Sequence, residues 1–475
     1  MSDVKLIEPR TLKGFRDYLP ELMIPREWML EQARRVYRGY GFAPIDTPAL
    51  EYAEILLGKG GEESDKQLYR FTHHSHDIAL RFDLTIPFAR FAAQYINQLG
   101  TPFKRYHMGP VWRGENTQKG RYREFWQCDF DTIGTTSNAA DIEVALVIHD
   151  LMRAVVPPSC LLAGRASDGL DHPSLARPAN AAVEGDESKG RFVIHVNNRL
   201  VLNGLLEELG LAGQTAMVLR CLDKLGKVTR EDVQKEMAER AGVTSAQSSR
   251  LLEFVQMTGT NAEVLARLKS EFGANAKAGE GVRRLEELLD ATAKAGIPDG
   301  MIVLDLSIAR GLDYYTGTVY ETFLTDMPKI GSVCSGGRYD NLAGLYTKQS
   351  LPGVGASLGL DRLLAALEEL NLLQKTGTPA PVFIVQFSAE RIGEYQKMAR
   401  SLRAAGIGAE VFPDAKKLGQ QFQYAEKRGF KIALIAGPDD FAKGSWNVKD
   451  LAKREEKKGV PDAEVLGIVR ALLAV

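Results

Sequence analysis

At 475 residues the chain has room for about three domains, and 44% hydrophobic with 25% charged residues is the composition of an ordinary globular protein with ample core. A net charge of −1 argues against a polybasic nucleic-acid coat or an acidic tail protein, while leaving a local nucleic-acid site open. The four cysteines, Cys128, Cys160, Cys221 and Cys334, form no CxxC pair, and no apolar run approaches the ~20 residues of a membrane span, so a reducing, cytoplasmic setting with no membrane contact is expected.

A polar lead-in over Thr11–Pro20 precedes a helix over Glu21–Gly39, stopped by Gly41. Phe42–Pro48 reads as a short strand ended by its proline. Lys66–Phe71 and Ile78–Phe82 read as a hairpin around His73, His74 and His76. Three histidines in four residues invite a metal, but no Cys or Glu stands at ligand spacing, and a solvated turn accounts for them; no metal site is expected. Asp83, before the helix Ile86–Leu99, fits either a pocket residue at a strand end or an N-cap.

Phe103–Gly134 carries the densest signal. Two extended runs, Phe103–Trp112 and Arg121–Ile133, flank a Gly-bounded loop, the pattern of a long-looped hairpin. Alternation puts Arg121, Arg123, Phe125, Gln127, Asp129 and Asp131 on one side and Tyr122, Glu124, Trp126, Cys128 and Phe130 on the other. The odd-numbered face is too polar for a core. It reads as the floor of a pocket for a charged ligand, the alternative being a solvated face with surface ion pairs.

A helix over Asn138–Val155 follows, then Cys160–Gly190, which lacks periodicity and reads as a surface excursion. Arg191–Asn197 reads as a strand and Leu200–Leu209 as a helix. From Thr215 to Gly296 the strand signal vanishes, and Thr229-x-x-Asp232 and Thr244-x-x-Gln247 are capping boxes opening helices. Sheet character returns over Met301–Phe323, interrupted by Arg310–Gly317, and again in Gly331–Gly344. Gly353–Leu370 runs from a Gly-spaced strand straight into a helix. It is not GxGxxG, and GxxxxGK[ST] occurs nowhere, which disfavours Rossmann and P-loop sites. Arg362 at that helix start suits a phosphate. After the linker Gln374–Pro381, strands and helices alternate to the end in a small α/β domain with 16 Lys and Arg against 12 Asp and Glu, a tilt that permits an RNA partner.

No Ser/His/Asp or Cys/His triad and no metal-ligand spacing is present. Arg113, Arg121, Arg310 and Arg362, with Asp83, Glu115, Asp131, Gln127, Tyr314 and Tyr315, suit phosphoryl or nucleotidyl chemistry, in which positioning and charge stabilisation do most of the work. An attacking carboxylate, with pKa ~3.5, needs no general base; it needs relief from repulsion by the phosphate, which guanidinium groups supply.

VWRGE with RYREFWQCDFD resembles the second signature motif of class II aminoacyl-tRNA synthetases, GVGASLGLDRL the third, and the segment around Pro48 the first, the dimer-forming one. ARGLDYYTGTVYE and GSVCSGGRYDNL resemble the histidine-binding signatures of the histidyl-tRNA synthetase family. The resemblance spans nearly the whole chain, and five pieces in the right order make it specific. It implies an α/β protein with an antiparallel-sheet, α+β catalytic core in two parts (1–211 and 299–373), a helical insertion (212–298) and a C-terminal α/β anticodon-binding domain (381–475).

The implied activity is activation of L-histidine by ATP, with Mg²⁺ bound to the substrate, and transfer to tRNA(His) by a homodimer. By the same resemblance Arg113 holds the α-phosphate and the histidine carboxylate, Glu115 and Phe125 take the adenine, and Arg121 and Arg362 the outer phosphates. Asp83, Thr85 and Gln127 take the α-amino group; Asp131 and Tyr315 read the imidazole, with Tyr314 alongside. Arg310 lies against the α-phosphate beside the amino acid and stabilises the transition state, while Gln118 and Lys119 meet the tRNA acceptor end. Asp361 stands where glutamate is commoner, RFDLT is a form found in part of the family, and Cys160–Gly190 is longer than usual. Two alternatives stay open: a synthetase-like regulatory subunit of ATP phosphoribosyltransferase, a type that usually lacks the C-terminal domain, and a ligase for another amino acid.

Overall fold

Alternation and aromatic content over Phe103–Trp112 and Glu124–Ile133 produce the two longest strands described, and a mixed sheet grows from them. The computed structural model describes residues 7–57, 66–156, 191–222, 224–225, 228–308, 314–373 and 375–473. The expected excursion Cys160–Gly190 and the residue Arg310 lie outside the described residues. The described residues fall into two compact units: one within 7–16, 29–156 and 191–372, the other of 17–28 with 373 and 375–473.

The strands of the first unit are β1 (Ala43–Pro44), β2 (Leu50–Tyr52), β3 (Arg70–His73), β4 (His76–Leu80), β5 (Phe103–Trp112), β6 (Glu124–Ile133), β7 (Phe192–Asn198), β8 (Ile302–Leu304), β9 (Thr318–Leu324), β10 (Cys334–Tyr339) and β11 (Gly353–Gly359). Eight of them form one sheet in the order β1-β5-β6-β11-β10-β9-β7-β8, antiparallel through its centre and parallel at both edge pairs. β2, β4 and β3 form a second, small sheet.

One face of the large sheet is the core. Cys128 and Phe130, from the even-numbered side of β6, are fully buried. Tyr37 packs on Phe130 with ring centroids 5.1 Å apart, and its Oη donates to the Cys128 carbonyl at 2.8 Å. The helix Asn138–Val155 covers the same sheet, opened by Ser137, whose hydroxyl accepts the Ala139 N–H. Arg338 of β10 reaches its first turn: Nε donates to Asp141 Oδ2 at 3.0 Å and Nη1 to the Thr135 carbonyl at 2.9 Å. This arginine of the GGRYDNL segment is thereby a buried clamp between sheet and helix.

Between Ala212 and Lys294 the described residues form helices and no strand of the named set. Both expected capping boxes are present, Thr229 with Asp232 and Thr244 with Gln247, and Thr260 with Glu263 makes a third. The last helix, Ala276–Lys294, packs on the helix Arg199–Glu208, and small residues permit the close approach. A Cβ on Gly204 would meet Ala278 Cβ at 2.7 Å, and one on Gly281 would meet Val201 Cγ2 at 2.8 Å.

Two expectations change. Phe42–Pro48 contributes only Ala43–Pro44 as a strand; Pro44 offers no N–H, and one further backbone bond, from the Ile45 N–H to the Tyr106 carbonyl at 3.1 Å, completes the edge pairing. The histidine hairpin is tighter than expected: β3 and β4 meet across His74 and Ser75, both with positive φ, so His73 and His76 pair inside the ladder.

In the second unit β12 (Val382–Ile384), β13 (Ala409–Val411), β14 (Ile432–Ile435), β15 (Ser445–Asp450) and β16 (Glu456–Pro461) give the order β13-β12-β14-β15-β16. β12–β14 are parallel, as the alternating pattern implies, and β15 and β16 add an antiparallel hairpin. Nothing in EKKGVP reads as a strand because β16 is an exposed edge, where lysines block further pairing.

Candidate active site

Register turns separate segments into a single surface. On the face of the large sheet opposite Cys128 and Phe130, Arg105 of β5, Asp131 of β6, Gly355 of β11 and Gly337 of β10 stand on successive strands in one rung. The next rung runs His107, Asp129, Ser357, Ser335 and Glu321. Glycine is required in the first rung: a Cβ on Gly355 would sit 2.2 Å from Asp131 Oδ1, and one on Gly337 would sit 2.8 Å from the Thr318 carbonyl.

Above these rungs lies a cavity of about 160 Å³, lined by Asp83, Thr85, Arg113, Gln127, Asp131, Tyr314 and Tyr315 together with Glu321, Ser335, Tyr339 and Ser357. Cavities on the order of 150 Å³ hold a benzene-sized ring, so this one suits a small ligand rather than a polymer.

Asp83 lines the pocket and, standing one residue before the helix's N-cap Leu84, also ties down the first turn. Its Oδ1 accepts the Ile86 N–H at 3.0 Å, opening the helix Thr85–Leu99, while its Oδ2 accepts from Tyr314 Oη at 3.4 Å. Burial pushes its carboxyl up to about 6, against the lowering pull of the Ile86 N–H, Arg113, Arg105 and Tyr314. Asp129 and Asp131 are likewise raised by burial, with Arg105 opposing. Tyr339 Oη donates to Asp131 Oδ1 at 2.6 Å. Gln127 Nε2 donates to Ser357 Oγ at 3.3 Å, leaving Gln127 Oε1 buried with no hydrogen-bond partner. Buried acceptors of this kind call for a donor from a ligand. Thr85 Oγ1 stands 3.5 Å from Asp129 Oδ2, within reach of the same cluster.

A cationic rim adjoins the cavity. Arg113 Nε donates to the Phe82 carbonyl at 2.9 Å, and its guanidinium lies 5.1 Å from the centroid of Phe125. Arg121 pairs with Glu115 at 3.6 Å. Arg362 Nη1 donates to the Ser332 carbonyl at 2.6 Å. Its guanidinium is held below the usual value by burial and by the charges of Arg121 and Arg113, which Glu115 and Glu321 oppose. Arg113, Arg121 and Arg362 therefore share one electrostatic neighbourhood. Repulsion among them is relieved by an anion, as phosphates provide.

Arg121 reaches that rim from the loop rather than from β6, which starts at Glu124; Arg121 forms an isolated bridge with Gln118. In the same loop Gln118 is exposed, and Lys119 pairs with Glu369 at 2.5 Å. Asp361, the departure beside Arg362, is buried and accepts the Trp126 N–H at 2.6 Å, tying the helix start to β6. Among the described residues no three His, Cys, Asp or Glu side chains stand close enough together to hold a metal ion.

Sequence reasoning missed Tyr339, Glu321, Ser335, Ser357 and Arg105. The alternation within β5, β9, β10 and β11 could have placed them on a face, but only the cross-strand register says whose face it is.

A family model described as histidyl-tRNA synthetase matches residues 14–163 and 181–363, and one described as anticodon binding domain matches 381–472. The chain belongs to the histidyl-tRNA synthetase family. The histidine–tRNA ligase of Rhodopirellula baltica is 52% identical over 453 residues, covering 95% of each chain. A crystal structure of histidyl-tRNA synthetase from Nostoc sp. PCC 7120 matches with a TM-score of 0.82 and 33% identity, over 98% of this chain and 100% of that one. A Bacillus halodurans protein described as an ATP phosphoribosyltransferase regulatory subunit/histidyl-tRNA synthetase matches with a TM-score of 0.68 over 88% of this chain and 97% of its own. At 21% identity that likeness shows the fold alone.

Proposed function

We propose that the chain is a histidine–tRNA ligase: it joins L-histidine to ATP as histidyl-adenylate, releasing diphosphate, and then transfers histidine to tRNA(His). The observation that carries this reading is one cavity in which Asp83, Gln127, Asp131, Tyr314 and Tyr315 meet Arg113, beside a rim where Arg121 and Arg362 crowd together. The first group matches an amino acid with a ring N–H donor, and the second a triphosphate.

In this reading Asp83, Thr85 and Gln127 bind the α-ammonium, and Asp131 and Tyr315 read the imidazole with Tyr314 alongside. Arg113 bridges the histidine carboxylate and the α-phosphate. Phe125 and Glu115 receive the adenine; Arg121 and Arg362 receive the outer phosphates of ATP, which enters as its magnesium salt. The carboxylate oxygen attacks the α-phosphorus, the bond to the diphosphate oxygen breaks, and the departing charge falls to the arginines. Arg310 acts on the α-phosphate and on the histidine carboxylate. Gln118 and Lys119 meet the acceptor end, and residues 381–475 take the anticodon, whose splayed bases offer edges and stacking faces. The core divides as 1–211 and 299–373 around the helical insertion 212–298.

We also assign a homodimer. Leu50, Tyr52 and Phe71 of the small sheet, next to the segment that resembles the dimer-forming motif, are 43%, 53% and 46% exposed, and Tyr52 and Phe71 share a rung through Ile78. The cytoplasm, where tRNA is charged, is the proposed location; no described helix is long and apolar enough to cross a membrane.

ATP–diphosphate exchange run with each amino acid separately, followed by charging of tRNA(His), tests the assignment. Exchange with histidine alone is the expected result, and exchange driven by any other amino acid overturns it. In the same assay Arg310→Ala should lose ~10²–10³ in rate, the usual effect of removing one transition-state charge partner.

A further inference from the structure

Beneath the cavity lies a cation that none of the roles above uses. Arg105 is 0% exposed and does not line the cavity. Its Nη2 sits 2.7 Å from Asp131 Oδ2, 3.7 Å from Asp129 Oδ2 and 3.4 Å from the Leu84 carbonyl, and its Cζ lies 4.4 Å from the Phe88 ring centroid. Its Nε and Nη1 are buried without a hydrogen-bond partner. Burying a guanidinium is costly unless a charge partner compensates it, and the closest such partner here is the Asp131 carboxylate.

The Asp131 side explains the placement. Its Oδ1 accepts from Tyr339 Oη, while its Oδ2, despite the close Arg105 nitrogen, has no donor aligned for a hydrogen bond. That oxygen is thus charge-compensated and keeps an unused acceptor position, on a side chain that lines the cavity. We propose that Arg105 is the positioning residue for side-chain recognition, holding Asp131 as an anion with one oxygen reserved for a ring N–H of the amino acid. This inference rests on the histidine reading of the cavity. Without Arg105, burial drives Asp131 toward the protonated acid, as the raised carboxyl already indicates. A neutral acid offers a weaker acceptor and a competing donor, and charge-assisted hydrogen bonds are about twice as strong as neutral ones.

The test is ATP–diphosphate exchange on the full chain, measuring KM for histidine and for ATP in Arg105→Met, Arg105→Lys, Asp131→Asn and the Arg105→Met/Asp131→Asn double variant. Arg105→Met should raise the histidine KM on the order of 10- to 100-fold while the ATP KM stays within about twofold. Arg105→Lys should fall between it and the wild type. In the Asp131→Asn background Arg105→Met should add little, because both remove the same contact. If Arg105→Met does not accumulate as folded protein, Arg105→Lys carries the test: a selective several-fold rise in histidine KM supports the role. An unchanged histidine KM, parallel rises in both KM values, or single-variant effects that simply multiply would each overturn it. A wild-type chain without histidine-dependent exchange sinks the underlying reading, and this inference with it. An active wild type with silent Arg105 variants sinks the inference alone.

Discussion

Asp83 shows how burial and a turn set the chemistry of one carboxylate. Its folded value near 6 exceeds the ordinary ~3.9, so the folded chain binds more protons than the unfolded chain between those values. This contribution to stability is therefore present at low pH and lost as pH rises through about 6. Comparing unfolding of the wild type with Asp83→Asn, which keeps an acceptor for the Ile86 N–H, checks the sign. The wild type should lose stability relative to the variant by about 1.4 kcal/mol per pH unit between pH ~4 and ~6; a flat difference would mean that the carboxyl is not raised. Six residues legible in the sequence, Asp83, Arg113, Gln127, Asp131, Tyr314 and Tyr315, line the same cavity, joined by Thr85, which only the family resemblance implied. The six were legible because each sits in a short segment with an unusual local pattern. Arg105 was not, since a lone arginine in an aromatic strand reads as an ordinary surface residue until its rung partner is known.

Elements were read best where a local rule decides them. The helix Asn138–Val155 appears at its expected bounds because its Ser137 cap and its apolar spacing act within a few residues. Thr260→Ala removes the third capping box and should cost ~1 kcal/mol in the unfolding free energy, leaving histidine-dependent exchange unchanged. β11 is a different kind of element, shaped by its neighbours. Gly355→Ala forces a methyl onto Asp131 Oδ1 and the Phe130 carbonyl, 2.2 and 2.4 Å from the new carbon. Overpacking of this kind costs ~1–3 kcal/mol, and because Asp131 must move, the histidine KM should rise well beyond any change in the ATP KM. Equal changes in both would assign the glycine to packing alone. The hairpin β15–β16 escaped notice for the opposite reason: its charged edge strand is held by pairing, and its own composition opposes the assignment.

At the scale of the molecule, the exposed Leu50, Tyr52 and Phe71 carry the prediction of a dimer. Size-exclusion chromatography with light scattering should give twice the chain mass for the wild type and a monomer for Tyr52→Glu/Phe71→Glu; a wild-type monomer would remove the assignment. The order of the signature segments, the helix-only stretch and the change of pattern after residue 381 were all written in the linear chain, because helix spacing, strand alternation and turn chemistry are short-range effects. Short-range chemistry alone thus specified most of the elements, the hairpin β15–β16 excepted, and the family they belong to. Long-range pairing was needed to show that Arg105 stands beside Asp131, that Ser335, Ser357 and Glu321 join Asp129 in one rung, and that Arg113 and Arg362 repel each other. Strand register is set by pairings between separate segments, some as distant along the chain as Asp131 and Gly355, and a shift by one residue would turn every one of those side chains to the other face.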